Sequence, residues 1–259
     1  MTRFRKYGSG PCEVAVVHGG PGAAGEMAPV ARELSRSRGV LEPLQTASTV
    51  EGQLEELGLT LRENAGLPVS LIGHSWGAML GLLFTAGNPD LVKKLILVSS
   101  GVLENRYAAD IMKTRLGRMT EEDRAAVLSL TDVTTGEKPG NKNEAFSLLG
   151  AYISRVDSFD PLPGEDEIVE SRFDIYESVW SEAQELRSSG GFLEAAGRVR
   201  CPVVAIHGNY DPHPLEGVWD PLAAAIREFN FILLENCGHR PWIERQARAR
   251  FYEILRDET

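Results

Sequence analysis

The sequence predicts an α/β architecture: a mostly parallel sheet covered by helices on both faces and interrupted by a long helical insert. Three observations predict it. Short apolar runs alternate with segments of helical period over the first hundred residues. That alternation stops at Gly101 and resumes at Cys201-Pro202. The stretch between carries mainly helical signals. Strands buried on both faces read as near-continuous apolar runs, as these do.

The elements follow in order. Glu13 to Val17, bounded by Gly and Pro, reads as the first buried strand. Met27, Val30, Ala31 and Leu34 give Glu26 to Ser37 a helical period, and Val40 to Leu44 is the next strand. Leucines at helical spacing mark Val50 to Asn64. Pro68 then introduces the strand Val69 to Ile72, a small-residue helix from Trp76 to Ala86, and the strand Leu95 to Val98. Within the insert, Thr120 and Asp123 approximate a capping box before Ala125 to Leu130. Ile168, Tyr176, Val179, Trp180 and Ala183 predict a helix over Glu165 to Leu186. After the insert come the strand Val203 to Ile206, a helix from Pro221 to Arg227, the strand Phe231 to Leu234 and a closing helix from about Arg240 to Arg256. The expected division is a core of residues 1–102 and 199–259, with 103–198 inserted as a helical cap.

Composition narrows the function classes. The 259 residues carry a net charge of −10, which argues against binding nucleic acid, because phosphates would be repelled. Residues 101–200 hold 19 acidic and 12 basic side chains, a net of −7, so the insert carries most of the negative charge. No apolar run approaches a membrane span and no signal-peptide core follows the basic N-terminus, so the expectation is a soluble cytoplasmic protein. Cys12, Cys201 and Cys237 form neither a disulfide framework nor a metal pattern, and no metal or other cofactor is expected. The expected partner is a small molecule or short peptide as substrate.

The chemistry concentrates at a few positions. Gly73-His74-Ser75-Trp76-Gly77 matches G-x-S-x-G between a strand and a helix, the setting in which a nucleophile elbow lifts a serine hydroxyl off the sheet edge. Ser75 then needs a base. His239, in Cys237-Gly238-His239, follows a strand and shares the carboxyl edge of the sheet with Ser75. His74 lies too close in the chain to reach the hydroxyl. His18 and His207 read as structural, and His213 as an exposed loop residue. Asp211 follows the preceding strand and is the expected acid behind the base, with Glu104 the weaker candidate. The oxyanion donors are expected to be the N–H of Trp76 and of Gly20, in the loop His18-Gly19-Gly20-Pro21-Gly22. That loop also spells G-x-G-x-x-G through Gly20, Gly22 and Gly25, with Glu42 further on. A nucleotide-binding oxidoreductase is therefore a competing reading, but it leaves the elbow, Asp211 and His239 without a role.

These residues resemble the α/β-hydrolase superfamily over nearly the whole chain. HGGPG with GHSWG resembles its proline iminopeptidase-like branch. The resemblance implies an α/β-hydrolase fold in which the insert roofs the active site, and a serine hydrolase acting through an acyl-enzyme on an ester, amide or N-terminal peptide bond. It also implies cap glutamates that grip a free amine. Glu177 and Glu182, with Glu185, flank Trp180, and Gly19, Trp180, Glu177 and Glu182 are the candidates for substrate contact. Two departures stand out. The branch usually has Gly where this chain has His74, and its N-terminus supplies two strands before HGGPG. Here about a dozen residues precede the first clear strand, so one or both are expected to be missing. The alternatives on this scaffold are a carboxylesterase or thioesterase, a carbon–carbon bond hydrolase, and a hydrolase-like ligand-binding protein with little turnover.

Overall fold

A computed structural model describes residues 3–164 and 167–259. Seven strands form one sheet in the order β1-β3-β2-β4-β5-β6-β7, where β1 is Arg3–Tyr7, β2 Cys12–Val17, β3 Gly39–Leu44, β4 Val69–His74, β5 Val92–Val98, β6 Val203–Gly208 and β7 Phe229–Leu234. Every pairing is parallel except that of β1 with β3. The N-terminal edge therefore carries one strand before β2. Sequence reading passed over β1 because Arg3, Phe4, Arg5, Lys6 and Tyr7 lie at an edge and are exposed or half-buried, without the apolar alternation of a covered strand.

Ten α-helices among the described residues accompany the sheet: α1 Ala28–Leu34, α2 Val50–Asn64, α3 Trp76–Gly87, α4 Ala109–Arg118, α5 Glu121–Thr135, α6 Lys142–Val156, α7 Phe173–Ser189, α8 Gly191–Arg198, α9 Glu216–Ala225 and α10 Arg248–Glu258. Period-two side-chain alternation divides the sheet between two cores. Val14, Val16, Ile72, Ile96, Val98, Val204 and Ile206 pack with α1 and α10 on one face. Ala15, Val17, Leu71, Leu95, Leu97, Val203 and Ala205 pack with α2, α3 and α7 to α9 on the other.

Packing also divides the insert. Ile175, Val179 and Ala183 of α7 and Phe192 and Ala196 of α8 belong to the second of those cores. Met119, Val127 and Val156, from the α4 to α6 region, form a small cluster of their own. Thr120 Oγ1 accepts from Asp123 N at 3.1 Å, which is the cap expected at the start of α5.

Three boundaries differ from the sequence reading for local reasons. The helix expected from residue 165 begins at Phe173; residues 165–166 lie outside the described residues, and Val169 N and Arg172 N donate to Ala24 O and Gly22 O instead of entering a helix. Pro221 lies inside α9 instead of opening it. A proline leaves the carbonyl four residues earlier without a helical donor, and here Leu103 N supplies Gly217 O at 3.1 Å. The closing helix splits into a 3₁₀ turn, Pro241–Ile243, and α10.

Candidate active site

Four loops meet at the carboxyl edge of the sheet. The first leaves β4 at the G-x-S-x-G turn. Ser75 holds φ 52 and ψ −112, a strained conformation for a residue with a side chain, and its N–H donates to Val98 O at 3.0 Å. The flanking glycines are required by contact. A Cβ on Gly73 would lie 2.1 Å from Gly77 O, and one on Gly77 would lie 2.4 Å from His18 O. Ser75 is half-buried and directly precedes the first turn of α3.

The second loop follows β6. Asp211 is buried, and its carboxylate oxygens take separate donors. Oδ2 accepts from His239 Nδ1 at 2.7 Å, and Oδ1 accepts from His213 Nδ1 at 2.8 Å and from His213 N at 2.9 Å. His207 Nε2 stands 3.8 Å from Oδ2. Burial alone would raise the Asp211 carboxyl, but the neighbouring His239, His213 and His207 outweigh it and hold the group well below its ordinary range. His213 is thus buried against the acid, not exposed as its loop position suggested; its ring stacks on that of His239 at 4.7 Å. Its signal was its place two residues after Asp211, where an Asx-type turn brings the backbone N–H back to the carboxylate.

The third loop follows β7 and carries His239. Because Nδ1–H donates to Asp211, Nε2 is left with its lone pair, the tautomer a general base needs. Burial first, then His213 and His74, lower His239 to about 4 against the opposing pull of Asp211. The loop is fastened to the insert. His239 N donates to Asp157 O at 2.8 Å, and the Asp157 carboxylate takes a bidentate pair from Arg115 of α4 at 2.7 to 3.1 Å. The buried Glu244 carboxylate accepts from Gly238 N at 3.0 Å and from Phe159 N and Asp160 N, each at 2.8 Å. Glu244, Asp157 and Arg115 escaped the sequence reading, since each resembles an ordinary surface charge there.

The glycine loop after β2 bends with φ 28 at Gly20 and 78 at Gly22. Among the described residues no acceptor engages the N–H of Gly20 or of Trp76, whereas the Trp76 indole donates to Gln53 Oε1 at 2.8 Å. Gly19 N donates to Glu26 Oε2 at 3.1 Å. The spaces at Gly22 and Gly25 are filled by the insert: a Cβ would lie 2.2 Å from Arg172 O at the first and 2.5 Å from Glu167 O at the second. Glu42 is buried and accepts from Tyr7 OH at 2.6 Å. The glycine motif and its distant acid therefore have structural partners, which leaves the nucleotide reading without its cradle.

The remaining candidates disperse. Glu104 pairs with Arg106 at 2.9 Å. Glu177 and Glu185 are exposed on α7, and Glu182 Oε2 accepts from Val50 N, the first amide of α2, at 2.7 Å. Trp180 is half-buried, stacked on Tyr176 at 6.1 Å with the Arg187 guanidinium 5.3 Å from its ring centre. Asp211, His213 and His239 also stand close enough together to hold a cation, but each of their facing atoms is already engaged in a direct hydrogen bond, which accounts for the cluster without one.

Residues 14–253 match the model of the alpha/beta hydrolase family, and the chain belongs to that family. Its class is therefore that of a hydrolase. Among curated proteins it is 26% identical over 227 residues to a proline iminopeptidase of Lactobacillus crispatus (strain ST1), covering 80% of this chain and 71% of that protein. Among solved structures it is similar to VinJ (TM-score 0.68, 18% identity, 99% of this chain and 93% of that one). It is also similar to a proline iminopeptidase of Mycobacterium smegmatis (TM-score 0.62, 18% identity, 99% and 95%). A thioesterase domain from the curacin biosynthetic pathway shares the fold at TM-score 0.59 and 17% identity, over 97% and 93%. Among the described residues no helix is long and apolar enough to cross a membrane.

Proposed function

We propose that this chain is a serine hydrolase that cleaves an ester, amide or N-terminal peptide bond through an acyl-enzyme. The observation that carries the reading is the strained Ser75 at the strand-to-helix turn together with the His239 Nδ1 to Asp211 Oδ2 bond of 2.7 Å. Ser75 Oγ attacks the acyl carbon while His239 Nε2 takes the hydroxyl proton. The carbonyl oxygen becomes an oxyanion facing the N–H groups of Gly20 and Trp76. His239 returns the proton to the leaving group as that bond breaks, and a water then releases the acid by the same route. Asp211 keeps the tautomer and stabilises the imidazolium. The insert acts as a cap over Ser75, since Arg115, Asp157 and Phe159 all join the loop that carries His239.

The similarity to a proline iminopeptidase supports an aminopeptidase-like substrate with a free amine. A second reading has a specific observation in its favour. Glu182 is engaged by Val50 N while Glu177 and Glu185 are exposed, so the α7 carboxylates are poorly placed for an amine, and a neutral acyl group, as in an ester or thioester, suits the site. The discriminating experiment compares kcat/KM for p-nitrophenyl esters, a free aminoacyl nitroanilide and its N-acetylated form. A free-amine preference of tenfold or more supports the aminopeptidase. A ratio near one with ester cleavage supports the esterase. Turnover that persists in Ser75→Ala contradicts both.

A further inference from the structure

The position at which this chain departs from the iminopeptidase pattern, His74, is not idle. Its ring is buried between three groups: Nδ1 faces Glu26 Oε2 at 3.0 Å, Nε2 faces the carbonyl oxygen of His239 at 3.0 Å, and the Trp242 ring lies nearly perpendicular to it with 4.6 Å between ring centres. Both ring nitrogens face acceptors. A neutral imidazole donates from one nitrogen only, so the two contacts are filled together only when the ring carries both protons. The same Glu26 oxygen accepts from Gly19 N at 3.1 Å, in the peptide just before Gly20. One carboxylate and one imidazole thus bridge the glycine loop, the residue before Ser75 and the backbone of His239.

We propose that the partly buried Glu26 and the buried His74 form an ionic strut that positions the oxyanion loop and His239 relative to Ser75; both are positioning residues, and the inference rests on the serine-hydrolase reading above. Space supports it. A Cβ on Gly19 would lie 2.6 Å from Glu26 Oε2 and 2.7 Å from His74 Nδ1, so the loop is seated directly on the pair. The charge of Glu26 agrees: burial alone would raise its carboxyl, but His74, Arg240 and His239 bring it down to about 2. Removing one partner leaves the other charge buried without its counterion; removing both does not.

The strut also acts on the base through the field. The rings of His74 and His239 stand 4.8 Å apart. The charged and titratable groups facing the pair from neighbouring elements are Asp211 and His213 from the loop after β6, Arg240 beside His239, and His18 from the glycine loop. His74→Gln removes a cation and uncovers the Glu26 carboxylate, and both changes favour protonation of His239. The acid limb of kcat/KM must therefore move up in pH.

The test uses the full chain and a p-nitrophenyl ester, with Ser75→Ala as the control for the underlying reading. Glu26→Gln is expected to lower kcat by on the order of 10²-fold, the scale of one oxyanion donor, with little change in KM, and Glu26→Asp to recover part of it. His74→Gln is expected to raise the midpoint of the acid limb, and the double variant to lose less than the two single losses multiplied. If Ser75→Ala is inactive but Glu26→Gln keeps wild-type kcat, or His74→Gln leaves the acid limb in place, the strut is overturned while the serine mechanism stands. If a variant is poorly folded, the ¹⁵N spectrum of histidine-labelled wild-type chain decides. Two protonated ring nitrogens on His74 support the strut, and a single-proton tautomer overturns it.

Discussion

The rings of His213 and His239 lie 4.7 Å apart, tilted by only 26°, and they donate to different oxygens of Asp211. One carboxylate therefore orients two imidazoles, of which His239 is the base in the proposed mechanism. Asp211→Asn replaces one acceptor oxygen with an N–H₂ and invites the wrong His239 tautomer. Its kcat should fall by on the order of 10⁴-fold, with thermal unfolding near that of the parent. A wild-type rate would remove Asp211 from the mechanism.

His213→Ala tests the second imidazole. His213 lowers His239, and it takes one of the oxygens that would otherwise stabilise the His239 imidazolium. Its removal should raise the midpoint of the acid limb of kcat/KM, measured over pH 3 to 7 in a stable buffer series. An unmoved limb would make His213 a packing residue alone.

The wild-type pH dependence has a definite sign. His239 is lowered to about 4, chiefly by burial, so its base form and the activity should persist down to about that pH. The same shift acts on stability. The unfolded chain takes up the proton first, near the ordinary value of about 6.5, so the His239 contribution is fully present above that pH and is lost as pH falls through about 4. Urea unfolding at pH 7, 5.5 and 4 should show falling stability, and equal stability at all three would contradict the buried neutral imidazole.

Glu244 should be costly to alter. A carboxylate there accepts three backbone N–H groups, whereas Glu244→Gln sets a donor against donors. A loss of roughly 1–3 kcal/mol in unfolding free energy is expected, together with reduced kcat, since Gly238 adjoins His239. Unchanged stability and rate would show that the loop is held by other contacts.

Much of this was legible in the sequence, for physical reasons that can be named. Strands β2 to β6 announced themselves because burial on both faces demands near-continuous apolar runs, as in Val14, Ala15, Val16 and Val17. The elbow was legible because Gly73 and Gly77 sit where backbone oxygens exclude a Cβ. Strand β1 was not, because its order comes from pairing with β3 and not from its own pattern. The start of α7 was misread because residues 169 and 172 pair with the glycine loop, a contact no local window contains. The same limit hid His213, Glu26 and Glu244: each is a polar residue whose partner is distant in the chain or reached through a turn, and its contacts, not its spacing, give it a role.

The most direct measurement is covalent labelling with a fluorophosphonate followed by peptide mapping. Such reagents trap a serine whose hydroxyl is activated by a neighbouring base. The predicted result is one adduct per chain, on Ser75, lost in Ser75→Ala and strongly slowed in variants of His239. An adduct on another serine, or undiminished labelling and ester turnover in Ser75→Ala, would contradict the assignment of Ser75 as nucleophile.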